Sequence, residues 1–365
     1  MRAAFAQARL ALGQTWPNPA VGAIIVRNDG QQDELVACGR TMPGGRPHAE
    51  RVAIEQAGDA ARGATIYVSL EPCAHHAKTP PCVDAIIGAG ISRVVVSAHD
   101  PDERVAGRGI EALNAAGVEV TQGCLESEGT DIVRGHVLRV THNRPLVQLK
   151  LAVGSDGLIP QGRDGAPIWV TGKEARAHGH LLRARTDAIL VGHGTVLADD
   201  PELTCRLPGL ADKSPVRVVL SSDLAMPQNT KLLAGIDAAP VWIFGSNGAD
   251  KQTENKLTKT GVEVLRVNRC TDSGLDVNDV LSGLARRGIT RILIEGGPRV
   301  AASFWTAGVV DEVFIYKGPG SAGADGMPPL ATGGLEMIEN SGSFVREETR
   351  MLGGDTLDVY RRKDR

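Results

Sequence analysis

The sequence predicts an α/β protein of two domains, and three observations carry that prediction. Runs of β-branched residues, among them AVGAIIV, TIYVSL, RVVVSA, VRVVL and RILIEGG, alternate with helix-like stretches along most of the chain. Strands alternating with helices build sheets covered on both faces. The chain has 365 residues, more than one core usually holds at about 150 residues per domain. Finally, Asn143-Arg144-Pro145 separates a helix around 126 to 140 from a new strand, LVQLKLAV, with no low-complexity segment between the halves. The expected domains are therefore 1–144 and 145–365.

Taken in order, MRAAFAQARLALG reads as an amphipathic first helix ending at Gly13, because Gln7 and Arg9 interrupt the apolar run and leave no signal-peptide core. AVGAIIV is a strand. The run AERVAIEQAGDAARG after His48 is a helix closed by Gly63. TIYVSL, residues 65 to 70, is a β-branched strand, and Cys82 opens a helix through CVDAIIGAG. RVVVSA, a helix through IEALNAAG and the strand VEVTQG complete a three-layer α/β/α sandwich. In the second half AILVGHGT, VRVVL, VWIFG, VEVLRV, a helix ending near Gly288, RILIEGG, a helix through VAASFWTAG and VDEVFIY supply a second sheet.

Composition excludes several classes. A net charge of -3 gives no basic face for nucleic acid, and 3% aromatic residues provide few stacking platforms. Six cysteines in a chain this long make no disulfide framework. No window approaches the roughly 18 apolar residues of a membrane span. A cytoplasmic homo-oligomer without nucleic-acid or membrane partners is the expectation.

The chemistry lies in His48-Ala49-Glu50, followed by Pro72-Cys73 and Pro81-Cys82. A catalytic zinc site uses three protein ligands and keeps a fourth position for water. His48, Cys73 and Cys82 fit as the ligands. Zinc deaminases carry H-x-E and then P-C-x-x-C, with the Glu moving protons rather than binding metal; Glu50 takes that role. Ligands placed at helix N-termini meet free N–H groups that favour thiolate. A structural zinc site, or buried residues without metal, are the competing readings; no fourth Cys or His is required, and Glu50 is placed as a proton carrier.

Between the two cysteines lie AHHAKTPP, eight residues where nucleic-acid deaminases have two. With this insertion, PCAHHAKTPPC resembles the deaminase half of the bifunctional riboflavin-biosynthesis deaminase/reductases, and Pro17-Asn18-Pro19-Ala20-Val21-Gly22 matches that family's PNPxVG element. The resemblance implies that His76 and Lys78 contact phosphate or ribose and that Asn18 contacts the ring. A solvated loop is the alternative for His75, His76 and Lys78.

In the second half, RILIEGGPRVAAS runs from a strand through Glu295-Gly296-Gly297-Pro298 into a helix, a turn that suits a pyrophosphate or serves structure alone. No G-x-G-x-x-G is present. QLKLAVGSDG, Trp169-Val170-Thr171-Gly172, LLRARTDAILVGHGTVLADDPELTCR and EGGP occur in the order of the family's reductase half, which resembles the dihydrofolate reductase fold. The first domain is accordingly expected to be cytidine-deaminase-like and the second dihydrofolate-reductase-like.

The resemblance implies NADPH contacts from Val153, Trp169, Thr195, Asp199, Ser222 and the helix start Gly297, Pro298, Arg299, Val300, Ala301, Ala302 and Ser303. It implies substrate contacts from Pro167, Arg183, Leu203, Arg206 and Glu295. Arg183 and Arg206 offer planar forks suited to a phosphate, and Asp199 or Glu295 would assist proton transfer during sugar ring opening. Solvated, capping and core roles remain open for Arg183, Asp199 and Trp169 in turn. Gly154-Ser155 stands where the family commonly has Ser-Leu, and Pro167 where a serine is usual. The implied activity is zinc-dependent deamination of 2,5-diamino-6-ribosylamino-4(3H)-pyrimidinone 5′-phosphate, then NADPH-dependent reduction of the ribosyl group of the product to ribityl. The alternatives are a deaminase with a degenerate second domain and a non-catalytic zinc-stabilised nucleotide-binding module.

Overall fold

The computed structural model describes residues 1–363 apart from 29, 31, 76–79, 104, 162–167 and 271–273. The chain forms two compact units, Met1–Pro145 with Arg287–Thr290, and Leu146–Arg286 with Arg291–Arg365. His76, Lys78 and Pro167 lie outside the described residues.

The first unit runs α1 (Arg2–Ala11), β1 (Gly22–Asn28), β2 (Asp33–Arg40), α2 (Ala49–Ala57), β3 (Thr65–Leu70), α3 (Cys82–Gly88), β4 (Arg93–Ala98), α4 (Arg108–Ala115), β5 (Glu119–Thr121) and α5 (Glu126–His142). The sheet order is β2-β1-β3-β4-β5. β1 pairs antiparallel with β2 and β3, while β3, β4 and β5 are parallel. Two glycines let helices lie directly on it. A Cβ on Gly22 would come within 1.9 Å of Ala4 O in α1, and one on Gly39 within 2.0 Å of Ala49 O in α2. Gly39 is paired with Ala23, the neighbour of Gly22, so α1 and α2 cover opposite faces and the unit has three layers. Ala23, Ile25, Val68 and Val96 pack with Ala53, Val83 and Ile86, and Phe5 and Ala8 of α1 pack with Ile132 of α5.

β3 and β4 have the bounds the sequence predicts. β2 is missing from the sequence reading, because its side chains are mostly exposed and it opens with Asp33 and Glu34, so it is no buried run. The zinc-motif helix also ends earlier than Gly63 implies. It closes at Ala57, where Gly58 takes φ +54°, and Gly58–Ala61 forms a short 3-10 turn.

The second unit contains β6 (Leu146–Val153), α6 (Lys173–Ala184), β7 (Ala188–Gly192), α7 (His193–Asp199), β8 (Val216–Leu220), α8 (Lys231–Ala234), β9 (Val241–Ser246), α9 (Lys251–Thr258) and β10 (Glu263–Val267). It continues with β11 (Arg269–Cys270), β12 (Gly274–Leu275), α10 (Val277–Arg286), β13 (Arg291–Ile294), α11 (Pro298–Thr306), β14 (Glu312–Lys317), α12 (Glu336–Glu339), β15 (Phe344–Leu352) and β16 (Asp355–Arg362). Its main sheet has the order β10-β9-β8-β7-β13-β6-β14-β16-β15. The strands from β10 to β14 are parallel, and β16 and β15 add an antiparallel edge. That closing hairpin escaped the sequence reading, since β15 exposes nearly every side chain after Phe344. AILVGHGT is divided by the fold: the strand stops at Gly192 and His193 begins α7.

Candidate functional site

In the first unit the zinc-motif residues converge. His48 immediately precedes α2, Cys73 follows the end of β3, and Cys82 is the first residue of α3. Their ligand atoms all lie within 4.8 Å of one another. His48 Nδ1 is 3.3 Å from Cys82 Sγ and 3.6 Å from Cys73 Sγ. Zinc bonds of about 2.0–2.3 Å in a tetrahedron separate neighbouring N and S ligands by about 3.6 Å, close to both His–Cys separations, so the donor set suits the ion. Two of the three ligands occupy helix starts, and the Cys82 N–H donates to Cys73 Sγ at 3.4 Å. The side-chain hydrogen bond with Cys82, together with His48 beside it, holds the Cys73 thiol down to about 4. Cys82, as the partner that keeps the proton, is pushed up.

Glu50 is the second residue of α2, in its first turn, and is buried, which pushes its carboxyl upward. Asn18 donates its amide to Gly45 O at 2.8 Å and lies 3.4 Å from His48 Nε2. These residues line a cavity of about 100 Å³ together with Arg46, Glu71, Asp100, Asp102 and His136. The last five were not singled out from sequence. Only Asp100, closing the apolar strand RVVVSA two residues after Ala98, carries a signal that would have found it, because polar residues at strand ends face ligands in such sheets.

In the second unit the carboxyl ends of β8, β7, β13 and β6, neighbours in the sheet, carry most of the predicted cofactor residues. Val153 ends β6, Thr195 and Asp199 lie on the helix after β7, Ser222 follows β8, and Gly297 follows β13. The Gly297 N–H donates to Thr195 Oγ1 at 3.1 Å, tying the starts of α7 and α11 together. A Cβ on Gly192 would sit 2.7 Å from Val300 Cγ2, so glycine permits that approach. Pro298, Arg299, Val300, Ala301, Ala302 and Ser303 form the start of α11, but Ala301 and Ala302 are buried and Ser303 Oγ donates back to Arg299 O at 3.0 Å. Trp169 is 60% exposed and the Arg176 guanidinium lies 5.1 Å over its ring, so a core role is excluded. Burial raises the Asp199 carboxyl.

On the substrate side, two of the expected side chains are engaged within the protein. Arg183 is not an open fork: Nε and Nη2 donate to Glu295 at 2.8 and 3.0 Å, and Nη1 donates to Thr204 O at 3.0 Å. The nearest carboxylate has filled the geometry a phosphate would need. Leu203, at φ +58°, turns its side chain into the core with Val196, Ile189 and Val219. Arg206 is half-exposed, with Nη1 3.1 Å from Glu202 Oε2. Lys150 was missed; its Nζ is 3.6 Å from Glu295 Oε2, and a charged residue inside the mostly apolar run LVQLKLAV was the available signal. Burial would push the Glu295 carboxyl up, yet Arg183 and Lys150 hold it down to about 2. Nearby, burial and the charge of Arg183 lower His180 to about 4.

The cytidine and deoxycytidylate deaminase zinc-binding region matches residues 1–98, and the RibD C-terminal domain matches residues 145–344. The riboflavin biosynthesis protein RibD of Bacillus amyloliquefaciens is 40% identical over 97% of this chain and 93% of its own length. That of Aquifex aeolicus is 36% identical over 99% and 97%. Among solved structures, Acinetobacter baumannii RibD aligns with a TM-score of 0.86 at 31% identity, covering 100% of this chain and 98% of that one. A Thermotoga maritima diaminohydroxyphosphoribosylaminopyrimidine deaminase/5-amino-6-(5-phosphoribosylamino)uracil reductase aligns at 0.82 and 34% identity, covering 100% and 97%. The cytidine-deaminase-like and dihydrofolate-reductase-like α/β fold class read from the sequence therefore stands. None of the described helices is long and apolar enough to cross a membrane. With a zinc-dependent deaminase region followed by an NADPH-dependent reductase region, the chain belongs to the RibD family of bifunctional riboflavin biosynthesis enzymes.

Proposed function

We propose that the first unit deaminates 2,5-diamino-6-ribosylamino-4(3H)-pyrimidinone 5′-phosphate and that the second reduces the ribosyl group of the resulting uracil. The observation that carries the reading is the convergence of His48, Cys73 and Cys82, whose ligand atoms lie within 4.8 Å of one another, at a cavity lined by His48, Cys73 and the buried Glu50. His48, Cys73 and Cys82 would hold zinc, which would supply a nucleophile at neutral pH by acidifying water. Glu50 would move a proton between the attacking water and the departing amine, a task its buried position favours. Asn18, at the cavity wall, orients the pyrimidine, and His76 and Lys78 receive its phosphate or ribose.

In the second unit NADPH supplies the hydride, and the chain's task is alignment. Val153, Trp169, Thr195, Asp199, Ser222 and Gly297 to Ser303 bind the cofactor, with Thr195 fixing the Gly297 turn through its hydroxyl. Glu295, ionised and braced by Arg183, faces the substrate as an acceptor rather than as an acid. Asp199, raised by burial, is the better placed of the two to deliver a proton during ring opening. Arg206 takes the phosphate, and Leu203 and Pro167 are assigned further substrate contacts. The domains are assigned as 1–144 and 145–365, in a cytoplasmic homo-oligomer; the six unpaired cysteines suit a reducing compartment. Purified zinc-loaded protein given the diaminopyrimidine phosphate should release ammonia and then oxidise NADPH. Ammonia release without NADPH oxidation would reduce the reading to a deaminase with a degenerate second domain, and neither reaction would overturn it.

A further inference from the structure

The deaminase cavity has a second polar wall that the proton transfer does not use. His136, on α5, is 6% exposed and its Nε2 lies 3.1 Å from Asp100 Oδ1. Its Nδ1 is buried and has no partner among the described residues. With Nε2 facing the carboxylate, the imidazole donates through that nitrogen. Asp100 Oδ1 also accepts the Asp102 N–H at 2.9 Å. Two donors on one oxygen fix the carboxylate plane, and Oδ2 receives no donor among the described residues. Asp100 and His136 line the same cavity as His48, Cys73 and Glu50.

A fixed carboxylate oxygen at a cavity wall accepts N–H groups and repels carbonyl or ring-nitrogen lone pairs, so it selects the edge of a heterocycle. We propose that Asp100 accepts the N–H groups of the aminopyrimidine and that His136 is a positioning residue, holding Asp100 so that the ring's leaving amine is presented to the metal centre. The proposal rests on the deaminase reading above. It assigns His136 a part in substrate orientation although its ring touches no reacting atom.

The test uses the full-length, zinc-loaded chain and ammonia release from the diaminopyrimidine phosphate. Steady-state constants are compared for the wild type, His136→Leu, His136→Gln and Asp100→Asn. Leucine removes the donor, whereas the glutamine amide reaches the same carboxylate oxygen. His136→Leu should raise KM roughly ten- to hundredfold, with kcat within about threefold and zinc content unchanged. His136→Gln should restore KM to near the wild-type value, and Asp100→Asn should raise it at least as far as leucine does. A wild-type KM in folded His136→Leu, or glutamine no better than leucine, would overturn the proposal. If the leucine variant does not fold, the other two decide: a raised KM in His136→Gln or a wild-type KM in Asp100→Asn overturns it, and the reverse pattern supports it. A wild-type chain that releases no ammonia would instead overturn the deaminase reading.

Discussion

Replacing Arg183 by methionine isolates the contribution of the ion pair beneath the reductase site. Arg183 and Glu295 are joined by two hydrogen bonds of 2.8 and 3.0 Å, with side-chain exposures of 15% and 10%. Lys150 alone, at 3.6 Å, would then face the buried carboxylate. Removing one partner of a buried pair costs about 3–5 kcal/mol. A second route gives a similar figure: the Glu295 carboxyl lies at about 2 instead of 4.5, which corresponds to about 3 kcal/mol. Because this pKa is depressed on folding, the contribution is fully present above pH ~4.5 and is lost as pH falls towards ~2, with on the order of 2 kcal/mol gone by pH ~3. In Arg183→Met the carboxyl returns towards its ordinary value and that loss disappears. The stability gap between wild type and variant should therefore be about 3 kcal/mol at neutral pH and should narrow in acid. Urea unfolding followed by tryptophan fluorescence measures it, since Trp169, Trp242 and Trp305 all belong to the second unit. A neutral-pH gap below about 0.5 kcal/mol, or one that does not change on acidification, would refute the reasoning.

Three further outcomes are expected. Glu50→Gln should keep zinc and lose on the order of 10²-fold or more in ammonia release, because the amide preserves shape but carries no proton; full activity in the zinc-loaded variant would remove Glu50 from the mechanism. Cys73→Ser and Cys82→Ser should each lower zinc content by metal analysis and lower the melting temperature of the first unit, since binding free energy is coupled to folding of the site. NADPH oxidation on the deaminated substrate should survive both changes. Gly22→Ala, whose Cβ would meet Ala4 O at 1.9 Å, should destabilise the first unit by about 2 kcal/mol or more in thermal unfolding; a neutral substitution would mean that α1 shifts freely on the sheet.

Much of the fold was legible because its central strands are buried. TIYVSL, RVVVSA and VRVVL are rich in β-branched residues and largely buried, and β3, β4 and β8 have those bounds. The edge strands were harder. β2 and β15 have one neighbour each and many exposed side chains, so their sequences lack the apolar pattern that marks the others. The metal centre was legible for a different reason. Its chemistry demands His, Cys and Glu at positions tied to two helix starts, and few other roles require that set.

Partnership, unlike residue type, was not written in the chain. Arg183 has the guanidinium a phosphate would want, but Glu295, 112 positions away, occupies all of its useful face except Nη1, which Thr204 takes. His136 and Asp100 are likewise 36 positions apart and come together only because α5 lies over β4. A sequence motif can specify groups that act within one turn or loop, as His48 and Glu50 do. Groups that act as pairs across the sheet depend on the fold to make them neighbours, and at both sites the pairs formed in this way restrain a carboxylate whose charge the substrate would meet. The residues bearing directly on the metal are therefore the legible ones, while those that orient the substrate emerge only with the tertiary structure.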